Sequence, residues 1–207
     1  MPRRAKEEAE KTRTRILASA LALFVKNGYT HTTFTDIAAR LKMTKGAVYW
    51  HFASKEILLV ALVDEMLAKF ARQIDRLMPK DELTFPAVCE MMVKNAGEIV
   101  DDARGTAYFL LMHEQIQWSS ASMGKVREEL LTNPRFGPWH AFQKAVMNDV
   151  AASRVKSDVD PDRVAHICVA LWDGLVHARI AKFMAPGCDL CETLSRAFAG
   201  IWASIRV

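Results

Sequence analysis

A chain of 207 residues is long enough to bury a substantial core, either as one domain or as a small domain beside a larger one. It contains no run of about 18 uncharged apolar residues, and its basic N-terminus lacks an apolar stretch, so neither a membrane span nor a secretory signal is expected and the cytoplasm is the expected location. Charge is uneven: residues 1–56 hold eleven Lys and Arg against five Asp and Glu, a net of +6 in a chain of net +4, so the remainder carries −2. Positive potential concentrated at one end is the footprint of a surface that meets phosphates.

Residues 1–8 read as a polar, basic arm. A first helix is expected from about Glu8 to Lys26, because Ile16, Ala20 and Phe24 recur every four residues with Leu17, Leu21 and Leu23 beside them. Gly28 suits the left-handed position after its end. Asp36 to Leu41 forms a second, short helix, with Thr33 or Thr35 as N-cap. Lys42-Met43-Thr44 is a three-residue connection, and Thr44 caps a third helix, Lys45 to His51. Two short helices joined by a tight turn inside a basic segment describe a helix-turn-helix.

The start of the third helix carries Thr44, Lys45, Gly46 and Ala47, which a helix used only for packing does not require. Small residues let a backbone approach base edges and thymine methyls, while Thr44 and Lys45 reach phosphates or bases. The expected DNA-facing set is Thr33, Thr44, Lys45, Gly46, Ala47, Tyr49, Trp50, His51 and Lys55. Phe34, Ile37, Ala38, Leu41, Val48 and Phe52 are expected to pack on the first helix.

Three pieces carry a resemblance. They are Ile16-Leu17-x-x-Ala20-x-x-Leu23-Phe24-x-x-x-Gly28-Tyr29, then Thr33-x-x-Asp36-Ile37-Ala38, and then Thr44 to Phe52 with Lys55. Together they resemble the DNA-binding domain of the tetracycline-repressor (TetR) family of bacterial transcription regulators. The Tyr49-Trp50-His51-Phe52 run resembles the AcrR-like branch, which represses multidrug efflux pumps. The resemblance implies an all-α fold of about nine or ten helices. Residues 1–55 would form a three-helix DNA-binding domain, and residues 56–207 a larger helical domain for ligand binding and dimerisation. It also implies a homodimer on double-stranded operator DNA, released by a small apolar, aromatic or cationic effector, with no cofactor and no membrane partner. A regulator with an acyl-type ligand and an architectural DNA-binding protein with no ligand are the alternatives.

The rest of the chain shows helical periodicity and no useful strand alternation. A fourth helix runs from Ser54 to about Leu77 and links the two parts. Further helices are expected over about 85–101, 103–114, around Val126 to Leu131, 139–153, 161–184 and 189–204. Asp160 and Pro161 open the penultimate helix as N-cap and first residue. The last two helices carry the residues expected at the dimer interface, Leu171, Leu175, Leu194, Ala197, Phe198, Ile201 and Trp202. Bulky apolar residues with scattered polar ones mark the expected ligand pocket: Met66, Phe70, Phe109, Met112, His113, Gln117, Trp118, Trp139, Trp172 and Asp173. No nucleophile elbow, zincin, phosphate-loop or dinucleotide motif occurs, so an enzyme is not expected. The lone Cys188-x-x-Cys191 pair is a weak zinc or redox signal, and the four cysteines are expected to be structural and reduced.

Overall fold

The computed structural model describes residues 2–77, 83–132 and 137–207. Among these it forms ten α-helices. They are α1 (Pro2–Asn27), α2 (Phe34–Leu41), α3 (Lys45–His51), α4 (Lys55–Leu77), α5 (Phe85–Asp101), α6 (Ala103–Leu110), α7 (Gly124–Thr132), α8 (Gly137–Ala151), α9 (Pro161–Ile180) and α10 (Leu190–Ile205). A π-helical turn, Leu111–Gln115, continues α6, and a 3₁₀ turn, Ala121–Met123, precedes α7. No described helix is long and apolar enough to cross a membrane.

Two helix ends depart from expectation. The basic arm is not separate from α1, which starts at Pro2 rather than Glu8. Polar residues with an i,i+3 pair, Lys11 to Glu8 at 3.0 Å, extend the helix beyond its apolar face. α9 stops at Ile180, four residues short, because Ala181 leaves the helical region and Lys182 turns left-handed at φ 61°.

The chain forms two compact units, residues 1–66 with 107–132 and residues 67–106 with 133–207. This division differs from a cut after residue 55. Segment 107–132 joins the unit that holds α1 to α3, and α4 contributes residues to both units.

In the first unit, α1, α2 and α3 pack on one another around Ile16, Leu17, Ala20, Phe24, Ile37 and Val48, all nearly or fully buried. Gly28 takes φ +86° and its N–H donates to Phe24 O at 2.9 Å, so the chain reverses where expected. The buried Thr32 hydroxyl lies 2.9 Å from Gly28 O and 3.2 Å from Leu23 O and closes the connection to α2. The π turn packs on α1.

In the second unit α5 packs against α8, α9 and α10. Phe85 stacks on Trp202 at 5.7 Å and meets Phe142, which in turn meets Phe198. Thr84 makes no side-chain cap for α5. The fully buried Asp149 of α8 does so instead, accepting from Phe85 N at 2.8 Å, while its other oxygen accepts from Arg154 Nε at 2.6 Å. A carboxylate at a helix N-terminus is favoured by the orphan amides and the helix dipole.

Candidate nucleic-acid interface

The geometry of α2 and α3 follows from two caps. Thr33 and Asp36 form a reciprocal capping box: Thr33 N donates to Asp36 Oδ2 at 2.8 Å, and Asp36 N donates to Thr33 Oγ1 at 3.3 Å. The Thr33 hydroxyl donates to the same carboxylate at 2.7 Å. These bonds hold Asp36 below the usual carboxylate range. Thr33 is exposed but uses its hydroxyl hydrogen within the cap. At the start of α3, Thr44 Oγ1 accepts from Ala47 N at 3.1 Å, which leaves its O–H available as a donor.

Only Val48 of α3 is buried. Thr44, Lys45, Gly46, Tyr49 and Trp50 are exposed, and Ala47 and His51 are half-buried. A Cβ built on Gly46 would meet nothing nearer than Thr44 Oγ1 at 3.9 Å, so packing does not demand glycine there. Tyr49 is held edge-on against Phe34 at 4.8 Å, with the Lys45 ammonium 5.6 Å above its ring. Trp50 is 74% exposed and stands perpendicular to the His51 ring. Partial burial, then the nearby charge of Arg13, lowers the pKa of His51 against the opposing pull of Glu10.

Lys55 departs from the expected role. Its ammonium donates to the carbonyl oxygens of Tyr29, Thr30 and Thr32 at 2.8, 3.1 and 3.2 Å and sits 4.5 Å over the Tyr29 ring. An ammonium has three donors, and these carbonyls take all three. Lys55 ties α4 to the end of α1 and is not placed to hold a phosphate. Arg13 was not foreseen as part of this surface. Its guanidinium lies 5.2 Å over Phe52, immediately after α3. Arg13, Ala20 and Phe24 share one helical face, which the spacing shows, but the seat on Phe52 joins residues 39 apart and has no sequence signal.

The expected ligand residues fall in both units. In the first, Phe109 is buried and stacks on His113 at 4.1 Å, and Trp118 donates to Met112 O at 2.7 Å across the π turn. Met66 is half-buried and Gln117 exposed. In the second, Trp139 donates to His166 Nδ1 at 3.2 Å, and Asp173 has its pKa raised to about 6 by burial. Trp172 is core: it is 6% exposed and donates to Met92 O at 2.8 Å. The Phe70 side chain lies outside the described residues. A cleft of about 210 Å³ between α5 and α10 is lined by Phe85, Cys89, Val93, Ser195, Phe198 and Trp202, and by none of the expected ligand residues.

Of the expected interface residues, Leu194 and Phe198 are buried within the protomer at 0% and 1% exposure, so they pack inside the unit. Trp202 is half-buried against Phe85. Leu171, Leu175, Ala197 and Ile201 are half-buried, and Ile167, on the same apolar side of α9 as Leu171 and Leu175, is 52% exposed. The four cysteines are free thiols, with Cys89 and Cys168 buried. No cluster that could hold a metal ion occurs among the described residues.

Comparison with known proteins identifies the family and the fold. Residues 16–62 match the family model of bacterial regulatory proteins, tetR family. The chain is 30% identical over 178 residues to the HTH-type transcriptional regulator TtgR of Pseudomonas putida, covering 85% of this chain and 83% of that protein. It is 28% identical over 185 residues to the probable acrEF/envCD operon repressor of Escherichia coli, covering 85% and 79%. Among solved structures, the SmeT–triclosan complex superposes with a TM-score of 0.77 at 25% identity, covering 95% of this chain and 92% of that one. SmeT is the repressor of the Stenotrophomonas maltophilia multidrug efflux pump SmeDEF.

Proposed function

The chain belongs to the tetR family of bacterial regulatory proteins, and from that premise we propose that it is a ligand-released repressor of a multidrug efflux operon. α1 to α3 read operator DNA, and the helices that follow dimerise and sense the effector. The observation that carries this reading is the start of α3, where Thr44, Lys45 and Gly46 are exposed beside the half-buried Ala47 and the Thr44 cap fixes the first turn. Gly46 and Ala47 face base edges. Thr44, Lys45, Tyr49 and His51 hold the flanking phosphates, and Trp50 packs against the backbone sugars.

Two copies related by a two-fold axis present two α3 helices to major grooves about 34 Å apart or a multiple of it, so the operator is nearly palindromic. The protomers pair through α9 and α10, using the half-buried Leu171, Leu175, Ala197 and Ile201 and the exposed Ile167. The effector is apolar and aromatic or cationic, in keeping with Phe109, Met112 and Trp118 of the first unit. α4 carries the signal, because one continuous helix contributes to both units. Moving it changes the spacing of the two α3 helices while groove spacing stays fixed by the DNA.

The test is fluorescence anisotropy with the full chain and the DNA upstream of its own gene, adding triclosan or a hydrophobic cationic dye. Release by either compound supports the reading. Tight binding that no apolar, cationic or acyl compound disturbs would contradict it and leave a DNA-binding protein without a sensor.

A further inference from the structure

The stacked rings of Phe85 and Trp202, 14° from parallel, line the cleft between α5 and α10, and the buried Phe198 lines it with them. Both helices belong to the second unit, so the cleft is separate from Phe109, Met112 and Trp118 of the first. Its volume is about 210 Å³. An apolar cavity of about 150 Å³ takes up benzene, and drug-sized ligands need about 300–1,000 Å³, so the cleft suits one ring with a short side arm.

Of the lining residues only Glu90 is charged. It is exposed, and its negative charge reaches the neighbouring Cys89 thiol, which burial already pushes up. Neither Lys94, one turn on, nor any other described cation is in ion-pair contact with it. The Ser195 hydroxyl donates its hydrogen to Cys191 O at 2.8 Å, so its oxygen is left to accept. Ser195 and Ala199 each stand two residues from Ala197, about 160° round α10 at 3.6 residues per turn. Pairing of protomers through Ala197 and Ile201 therefore leaves this side of α10 open.

We propose that the α5–α10 cleft is a second small-molecule site, which takes a primary aromatic amine of a single ring. The ring lies against Phe85, Trp202 and Phe198, and the ammonium meets the Glu90 carboxylate and the Ser195 oxygen. Aromatic faces attract both a flat ring and a cation, and the unpaired carboxylate rejects an anion of the same shape. The site depends neither on the reading of α3 nor on the effector site of the first unit.

The experiment is a saturation-transfer NMR titration of the full chain, without DNA. The probes are 2-phenylethylamine and 3-phenylpropionate, which share a ring and an arm but carry opposite charge. The variants are Glu90→Gln and Ala199→Phe, both at exposed positions, with melting temperature as the folding control. Ser195→Phe, also exposed, replaces Ala199→Phe if that variant melts early. The amine should bind the parent in the millimolar range and more tightly than the carboxylate. Glu90→Gln should weaken it by about two- to fivefold, the worth of an exposed ion pair, and the added phenyl ring should abolish binding by filling the cleft. No binding of the amine to the parent, an unchanged affinity in either folded variant, or equal affinity for the two probes would overturn the site. Operator binding, measured separately, is untouched by any of these results.

Discussion

The ammonium of Lys55 lies 2.8 Å from the carbonyl oxygen of Tyr29, and that contact sets apart two lysines that the sequence presents as equivalents. Lys45 points outward from α3, whereas Lys55 bonds three carbonyls at the end of α1. Lys55→Met should lower stability by about 1–2 kcal/mol, a charge-assisted hydrogen-bond loss discounted for partial exposure, and leave the salt slope of DNA binding unchanged. Lys45→Ala should do the reverse, flattening the slope by about 0.9 with no change in melting temperature. Denaturation and salt-dependent binding of the two variants decide the matter.

Gly46 separates folding from reading. A methyl group there meets only Thr44 Oγ1, at an ordinary 3.9 Å, and alanine is the better helix former by about 1 kcal/mol. Gly46→Ala should therefore fold as well as or better than the parent while binding operator more weakly. Retained affinity would mean that the α3 backbone does not approach the bases at this point.

Asp36 and Asp173 titrate in opposite senses. Hydrogen bonds from Thr33 hold Asp36 low, so its contribution is present above the ordinary carboxylate pKa and lost as pH falls through the folded value. Asp36→Asn should remove that acid limb. Burial raises Asp173 to about 6, so the folded state favours its protonated form, and stability is lost as pH rises from about 4 to about 6. Asp173→Asn should gain up to about 3 kcal/mol at pH 8 and little at pH 4, at about 1.36 kcal/mol per unit. Melting curves at the two pH values read the difference.

Assembly is tested at Ile167, an apolar side chain 52% exposed on α9. Sedimentation should show a dimer for the parent. Ile167→Glu should shift it toward monomer with the helical spectrum intact, because a charge in an apolar interface has no partner. A parent monomer at micromolar concentration that binds a single half-site tightly would remove the two-fold model.

Local features were legible in the sequence, and non-local ones were not. The caps at Thr33 and Thr44 follow from residue type and a spacing of three, and Gly28 from its position after an apolar stripe. Lys55 was misread because its partners lie 23 to 26 residues upstream and are carbonyl oxygens, which have no sequence signature. Asp149 caps α5 from 64 residues away for the same reason. Leu194 and Phe198 were assigned to a partner because periodicity shows which face of α10 is apolar but not whose chain covers it. The π turn at Leu111–Gln115 interrupts a pattern that otherwise reads as ordinary helix.

The central claim is that effector and operator compete through the protein. Linkage requires the coupling to be reciprocal: if effector weakens DNA binding by about 5- to 150-fold, the 1–3 kcal/mol typical of allostery, then DNA weakens effector binding by the same factor. The direct measurement is a calorimetric titration of triclosan, or of a cationic dye that the chain binds, into the dimer with and without saturating operator duplex. The account predicts an effector Kd raised in the DNA-bound protein by the factor seen in the reverse titration. Equal Kd values in the two titrations, for every compound that binds, would contradict it.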